Sequence, residues 1–161
     1  MKDQLGTYKD EQDIKNVILN MAQKKNQVVY GQQAVNIQVP QPYKRKTKDY
    51  DIYTKQPEKA AKETAEILNK EFKTQKFKVE KGVHKGTYKV KFDKKVIADY
   101  TGTTKKPKSK KVLGVSYANL KYQKGRLKNI LKQKELEYRH LKAINTLNKI
   151  NKSEMNEFIY S

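Results

Sequence analysis

The order in which helix-like and strand-like apolar patterns follow one another constrains the fold of this chain most. Residues 10–24 carry apolar side chains three and four positions apart, which predicts a helix. The apolar residues of this helix are Ile14, Val17, Ile18 and Met21. The run 27–30 contains Val, Val and Tyr and stops at Gly31, which is typical of a buried strand that enters a turn.

Downstream, the pattern changes to a strand, a helix, several strands and finally helices. A strand is predicted at 49–53, and Pro57 suits the first turn of a helix that runs to about Phe72. Residues 102–111 are rich in lysine and hold no large apolar residue before position 112, which predicts an exposed loop. The other strand-like segments are 77–79, 88–92, 96–100 and 112–118, and the chain from residue 120 onward is helical in pattern.

Together these patterns predict an α+β fold in which a small mixed sheet is flanked by helices and followed by a helical C-terminal extension. We expect an α+β domain over residues 1–118 and a basic helical extension over 119–161. Composition alone fits a small core under a basic surface or a partly disordered polycation, since hydrophobic and charged residues make up 35% and 34% of the chain. The periodicity favours the folded alternative outside the segment 102–111 and the termini.

Several classes of protein are excluded by residue types that the chain lacks. It contains no Cys, so a disulfide framework, a thiolate zinc site and a cysteine nucleophile are all excluded. The two histidines, His84 and His140, are far apart in sequence and do not form a His-rich metal motif. No apolar run is long enough to span a membrane, and the N-terminus lacks the apolar core of a signal peptide.

The charge predicts the class of partner. Lys and Arg number 37 and Asp and Glu number 17, which gives a net charge of +20. Such a charge favours a polyanion, namely nucleic acid or nucleotide phosphate, although a basic surface also serves solubility. We expect no membrane association and a cytoplasmic location, or a viral particle or the cytoplasm of an infected cell. A protein partner or a larger assembly remains open.

Asp49 and Asp51 are the residues that point most directly to chemistry. Side chains alternate between the two faces of a strand, so these two acids project from the same face. Paired carboxylates repel one another unless a cation lies between them. Because Mg²⁺ prefers a few carboxylates together with water and substrate phosphates, the pair is typical of a metal–nucleotide site.

Asp99 is the third candidate, in a strand whose other residues are largely apolar. A carboxylate there is costly to bury unless it is paired or bound to metal. Three carboxylates on adjacent strands can hold two divalent ions, which activate an attacking oxygen and stabilise a leaving pyrophosphate. The alternative is a structural acid paired with a lysine.

These residues resemble the DNA polymerase β-like nucleotidyltransferase superfamily, and among its members the compact viral, phage or archaeal proteins. The resemblance runs from Val29 to Asp99 and matches Gly31 to the first glycine of the family, Asp49 and Asp51 to its metal-binding acids, and Asp99 to its third acid. It implies transfer of a nucleotidyl group from an NTP to a hydroxyl, with Mg²⁺ or Mn²⁺ as cofactor. The same three acids would then be catalytic and metal-binding.

Gln32 departs from the family pattern, which has a second glycine or a serine there. The departure leaves open a catalytically inactive protein of the same fold that binds nucleic acid or serves as a virion structural protein. Gly31 and Gln32 are expected to shape the triphosphate pocket.

Lysines supply the remaining candidate nucleotide contacts. Lys46 and Lys48 lie just before the acid pair, and Lys89 lies in a strand after a glycine turn, so all three are candidates for binding phosphate. The alternative for the run 44–48 is a solvated stretch of charge. The basic residues around 105–128 would bind a nucleic-acid strand if they face the acids.

Overall fold

Helices and strands alternate only in the first part of the chain in the computed structural model, and five strands then follow one another; the structure describes residues 4–160 and the side chains of residues 4–156. The helices are α1 (Tyr8–Lys24), α2 (Gly31–Gln38), α3 (Pro57–Glu71), α4 (Leu120–Lys132) and α5 (His140–Tyr160). The strands are β1 (Val28–Tyr30), β2 (Tyr50–Thr54), β3 (Phe77–Lys81), β4 (Thr87–Phe92), β5 (Lys95–Gly102), β6 (Ser109–Val112) and β7 (Val115–Ala118). Two of the connections contain 3₁₀ structure, a single turn at Gln41–Tyr43 and a longer, kinked segment at Lys134–Arg139.

The strands of the described residues form one seven-stranded sheet in the order β3-β4-β5-β2-β1-β7-β6. The pairs β2–β5 and β1–β7 are parallel, and the other neighbours are antiparallel. The sheet is therefore mixed, with helices packed on it and two long helices at the C-terminal end. The predicted α+β fold with a helical C-terminal region is confirmed.

Helices α1 and α3 cover the sheet and form the main core with it. Thr7 caps α1 by accepting a hydrogen bond from the Asp10 backbone at 3.0 Å, and Pro57 opens α3 as predicted. The small residues on the buried face of α3 let the helix approach the sheet closely; the buried residues are Ala60, Ala61, Thr64, Ala65 and Leu68. Tyr100 of β5 lies beneath them without exposed surface, and its hydroxyl is 2.7 Å from that of Thr64.

A second apolar cluster joins α2 to the C-terminal helices. Its buried members are Val35, Val39, Leu127, Ile130, Ala143 and Ile150. The predicted boundary between residues 118 and 119 lies between β7 and α4, and the division into a domain and an extension stays a prediction. Helix α5 is 21 residues long, yet within residues 4–160 no helix has both the length and the apolar character that a membrane span requires.

Two local predictions were wrong. Residues 109–111 are not loop but belong to the edge strand β6, which pairs with β7 through the registers Ser109↔Ala118 and Val112↔Val115. The segment 112–118 is accordingly not one strand but a hairpin, which turns at Leu113 and Gly114, both with positive φ. An edge strand made of Ser and Lys shows no apolar alternation, because most of its side chains face solvent.

Candidate active site

The three predicted acids converge at the centre of the sheet. Strands β2 and β5 are parallel neighbours, and their register sets Asp51 directly beside Asp99. Asp49 lies one residue before β2, two positions from Asp51, and therefore on the same face. Each of the three offers a carboxylate oxygen, and these oxygens all lie within 4.8 Å of one another.

Gly31 completes the cluster from the neighbouring strand. It follows β1, whose last residue Tyr30 pairs with Asp51, and it begins α2 with a φ of +71°. A Cβ on Gly31 would lie 2.3 Å from Oδ2 of Asp51, closer than any non-bonded contact permits. The left-handed φ and the nearby carboxylate both require glycine at this position.

Burial and the neighbouring carboxylates disfavour the charged form of Asp51 in this cluster. The pKa of Asp51 is raised to about 7: burial is the main cause, Arg126 opposes it, and the carboxylates of Asp99 and Asp49 add to the rise. Lys89 Nζ lies 2.8 Å from Oδ1 of Asp99. This is the pairing with a lysine that the sequence analysis gave as the alternative for Asp99. Thr47 donates to Oδ1 of Asp49 at 3.1 Å.

This set of donors fits a divalent cation. The three carboxylates supply only hard oxygen ligands, the class that Mg²⁺ and Mn²⁺ prefer. Crowding raises the free energy of the charged acids, and a divalent ion would relieve that repulsion. Asp49, Asp51 and Asp99 are therefore the residues that would hold it.

Asp49 and Asp51 line a cleft between the sheet and the C-terminal helices, and Asp99 lies beside them outside its lining. Gly31, Gln32, Asp49 and Asp51 line one side of the cleft. Four cationic side chains line the rest, from the loop before β2, from α4, from the turn after α4 and from α5; they are Arg45, Arg126, Arg139 and Lys142. Arg126 also lies over the ring of Tyr30, with Cζ 5.0 Å from the ring centroid.

The predicted nucleotide contacts are placed differently from one another. Arg45, Thr47 and Asp49 line the cleft, whereas the intervening Lys46 and Lys48 are exposed and absent from its lining. Lys48 Nζ lies 3.1 Å from a carboxylate oxygen of Glu11. Lys89 is paired with Asp99. A role for these three lysines in nucleotide binding stays a prediction.

Gln32 is held within the wall of the cleft. Its Nε2 donates to Oδ1 of Asn36 at 2.8 Å, and its Oε1 accepts from the Thr146 hydroxyl at 3.5 Å. The amide therefore links α2 to α5 and makes two hydrogen bonds within the protein.

Gln123 is a site residue that sequence reasoning missed. It lies on α4, has no exposed surface and lines the cleft. Among the described residues, neither its Nε2 nor its Oε1 has a hydrogen-bond partner. A buried amide that leaves both groups unsatisfied is costly, which marks this wall of the cleft as unusual. The only signal in the sequence is a glutamine on the apolar face of a helix.

Comparisons with known proteins point to one family. A profile of the family described as "Poly(A) polymerase catalytic subunit" matches residues 16–138. No curated protein matches the chain in sequence. The crystal structure of the Megavirus polyadenylate synthase is similar in fold, with a TM-score of 0.77 at 20% identity. The similarity covers 92% of this chain but only 32% of that one, so this chain spans about a third of that protein.

The range matched by the family profile contains α2, the acid-bearing strands, α4 and most of α1. It therefore contains the lining of the cleft except for the residues from the end of the turn after α4 and from α5. The chain belongs to the poly(A) polymerase catalytic subunit family, which confirms the predicted membership of the DNA polymerase β-like nucleotidyltransferase superfamily.

Proposed function

We propose that this protein is a divalent-metal-dependent nucleotidyltransferase that transfers a nucleotidyl group from an NTP to a hydroxyl of a nucleic acid. One observation carries the proposal: three carboxylates converge within 4.8 Å beside a glycine that no other residue can replace without collision. Family membership supports the same reaction class.

The reaction is a substitution at the α-phosphorus of the NTP. The acceptor oxygen forms a bond to this phosphorus, the bond from phosphorus to the α,β-bridging oxygen breaks, and pyrophosphate leaves. The hydroxyl proton passes to Asp99, whose carboxylate is oriented by Lys89. Asp49, Asp51 and Asp99 would hold the divalent ion, which would supply charge neutralisation at the phosphates and would increase the acidity of the attacking hydroxyl.

The cationic wall of the cleft suits the triphosphate. Guanidinium groups bind phosphate oxygens through paired hydrogen bonds, and Arg45, Arg126 and Arg139 line the same cleft as Asp49 and Asp51. Gly31 starts the eight-residue helix α2, so the positive end of that helix lies at the same place. Both features would orient the triphosphate for attack and stabilise the leaving pyrophosphate.

A second candidate is a non-catalytic nucleic-acid-binding or virion structural protein on the same fold. It is favoured by Gln32, whose side chain is bonded within the protein to Asn36 and Thr146. That protein would bind single strands with strong salt dependence and would be indifferent to the acid pair.

The double variant Asp49→Asn, Asp51→Asn tests the proposal. With Mg²⁺, an NTP and a short oligoribonucleotide, the wild type should extend the strand, and the variant should lose about a thousandfold or more in rate. A control removes the same charge elsewhere: Asp13→Asn with Asp93→Asn, two acids that pair with lysines away from the cleft. The control should retain wild-type activity.

Two outcomes would contradict transfer chemistry. One is a folded wild type that turns over none of the four NTPs with Mg²⁺ or Mn²⁺, and the other is a double variant as active as its control. The second candidate would be established by two results together. The wild type would show no turnover, and salt-sensitive binding of the strand would survive in the Asp49→Asn, Asp51→Asn variant.

A further inference from the structure

One face of α4 lines an open groove on the surface of the described part of the chain. Tyr122, Arg126, Asn129 and Gln133 recur at helical spacing along the length of α4, and with the residues beside them they line about 560 Å³. We call this the α4 groove; its lining is Lys108, Asn119, Lys121, Tyr122, Gly125, Arg126, Asn129, Ile130 and Gln133.

The charge of the α4 groove is of one sign. Three of its lining residues are cationic, four offer an amide or a hydroxyl, and none is acidic. Two other surface grooves run along α3, and both include Glu66 among their lysines. The α4 groove therefore differs from the two grooves along α3 in having no carboxylate, a property that it shares with a groove beside α1 and that suits a polyanion.

Gly125 lies in the interior of α4, where glycine is unfavourable, and packing does not explain its presence. Glycine in that position costs about 1 kcal/mol of helix stability relative to alanine. A Cβ on Gly125 would find no atom within 4 Å, so nothing in the fold requires its absence. Local rules that a sequence breaks without structural need are typical of functional surfaces. The missing side chain leaves the helix backbone open to close approach in the middle of the groove.

The α4 groove is continuous with the cleft that holds the acids. Arg126 and Ile130 line both. Arg126 also covers the ring of Tyr30, the residue before Gly31, and Tyr122 donates a hydrogen bond to the Tyr53 hydroxyl at 2.8 Å. A strand that occupied the groove would thus have one end beside the acid cluster.

We propose that the α4 groove binds the single-stranded nucleic acid that accepts the nucleotidyl group, with its reacting end towards Asp99. The assignment rests on the proposed function and adds the location of the acceptor. Lys108 and Lys121 would contact phosphates, the amides of Asn129 and Gln133 would contact base edges, and Arg126 would lie where the strand meets the triphosphate site. A helix of 13 residues is about 20 Å long, which suits a few nucleotides of a flexible strand.

Two variants test the α4 groove in the full chain, with a short fluorescent oligoribonucleotide as the probe and no NTP present. Lys108→Ala with Lys121→Ala should lower the affinity about tenfold and reduce the steepness of its dependence on log[salt] by about 1.4, the value for two lost phosphate contacts on a single strand. Lys85→Ala with Lys94→Ala removes the same charge from exposed turns beyond the groove and should change the affinity less than about threefold.

Gly125→Gln changes no charge and isolates the shape of the groove. Glutamine is a good helix former and its side chain has free space, so the melting temperature should rise by a few degrees. The same side chain should obstruct the strand and lower the affinity about fivefold or more. Opposite signs for stability and binding are not expected from a purely structural role.

Three results would overturn the assignment. These are an equal loss in the two lysine pairs, unchanged or tighter binding in Gly125→Gln, and tighter binding of a duplex than of the single strand. Failure of the proposed function is separable, because binding is measured without turnover. The Asp49→Asn, Asp51→Asn variant should bind the probe like the wild type. In an active protein, the lysine pair should raise the KM for the acceptor and leave that for the NTP unchanged.

Discussion

The two sides of the cleft are built by different means. The acidic side is fixed by backbone register, since Tyr30, Asp51 and Asp99 lie side by side on three neighbouring strands. The cationic side is fixed largely by packing, since Arg126 and Lys142 come from α4 and α5, which meet α2 in a separate apolar cluster, and Arg139 comes from the turn between these two helices. Register places a side chain to within the spacing of a strand, whereas helix packing depends on every contact between the helices.

This difference between the acidic and the cationic side predicts which substitutions the protein tolerates. On the acidic side, a single added atom collides with a carboxylate, since a Cβ on Gly31 would lie 2.3 Å from Oδ2 of Asp51. On the cationic side, long flexible side chains reach the cleft, and a neighbouring cation partly replaces one that is lost. Changes to the acidic side should therefore have the larger effects.

Gly31→Ala should have the largest effect of the single changes we consider. Its Cβ would meet Oδ2 of Asp51, and alanine would also be strained at a φ of +71°. We expect a loss of stability of about 1–3 kcal/mol and a fall in turnover of about a hundredfold or more, because the carboxylate must move. Thermal denaturation and strand extension measure the two effects.

Gly86→Ala separates strain from collision. Its φ is +84°, similar to that of Gly31, but its Cβ would find no atom within 4 Å. It should lose about 1 kcal/mol and keep its activity. If the two variants lost activity equally, the close approach to Asp51 would not be the reason for Gly31.

Arg126→Met tests the cationic side and should have the next largest effect. It removes the guanidinium that lies over Tyr30 and acts on Asp51, while keeping most of the apolar stem. We expect the KM for the NTP to rise about tenfold, with a smaller change in kcat. Lys128→Met, on an exposed position of the same helix, is the control and should change neither. Equal effects in both would indicate a loss of general charge only.

The contrast also explains which parts of the site were predictable. Alternation in a strand places Asp49 and Asp51 on one face from sequence alone, and a glycine after an apolar run marks a turn. The acid cluster and the mixed sheet followed from such local rules. Arg45 lines the cleft because every second residue of the segment before β2 does so. A run of basic residues does not indicate which of its members face the cleft.

Contributions from α4 and α5 depend on tertiary packing and were not predictable residue by residue. Arg139 and Lys142 are two of many cations in a lysine-rich region, and nothing local distinguishes them. The edge strand β6 and the helix α2 were missed for a related reason. Strand β6 forms because it pairs with β7, and helix α2 is stabilised by packing against α4 and α5.

Gln123→Met addresses the wall between the two sides and should act mainly on stability. Methionine fills a similar volume without the two unsatisfied polar groups, so the free protein should gain about 1 kcal/mol or more. The measurement is the melting temperature with and without an NTP. Gln27, a buried glutamine of which only the oxygen lacks a partner among the described residues, is the comparison and should gain less as Gln27→Met. A destabilised Gln123→Met would show that the amide has a partner in solution, such as an ordered water.

Lys89→Met should have the smallest effect, and it depends on the divalent ion. The ion pair with Asp99 is partly exposed, with 28% and 17% of the two side chains accessible, so its loss should cost about 1 kcal/mol without metal. Mg²⁺ would then compensate more charge in the variant than in the wild type, so the rise in melting temperature on adding Mg²⁺ should be larger in Lys89→Met. The matched control is Lys91→Met, on the same strand and paired with the exposed Glu80. An equal rise in the two variants would mean that Lys89 and the ion act independently on the acids, and the acidic side would then not be the coupled unit that its register indicates.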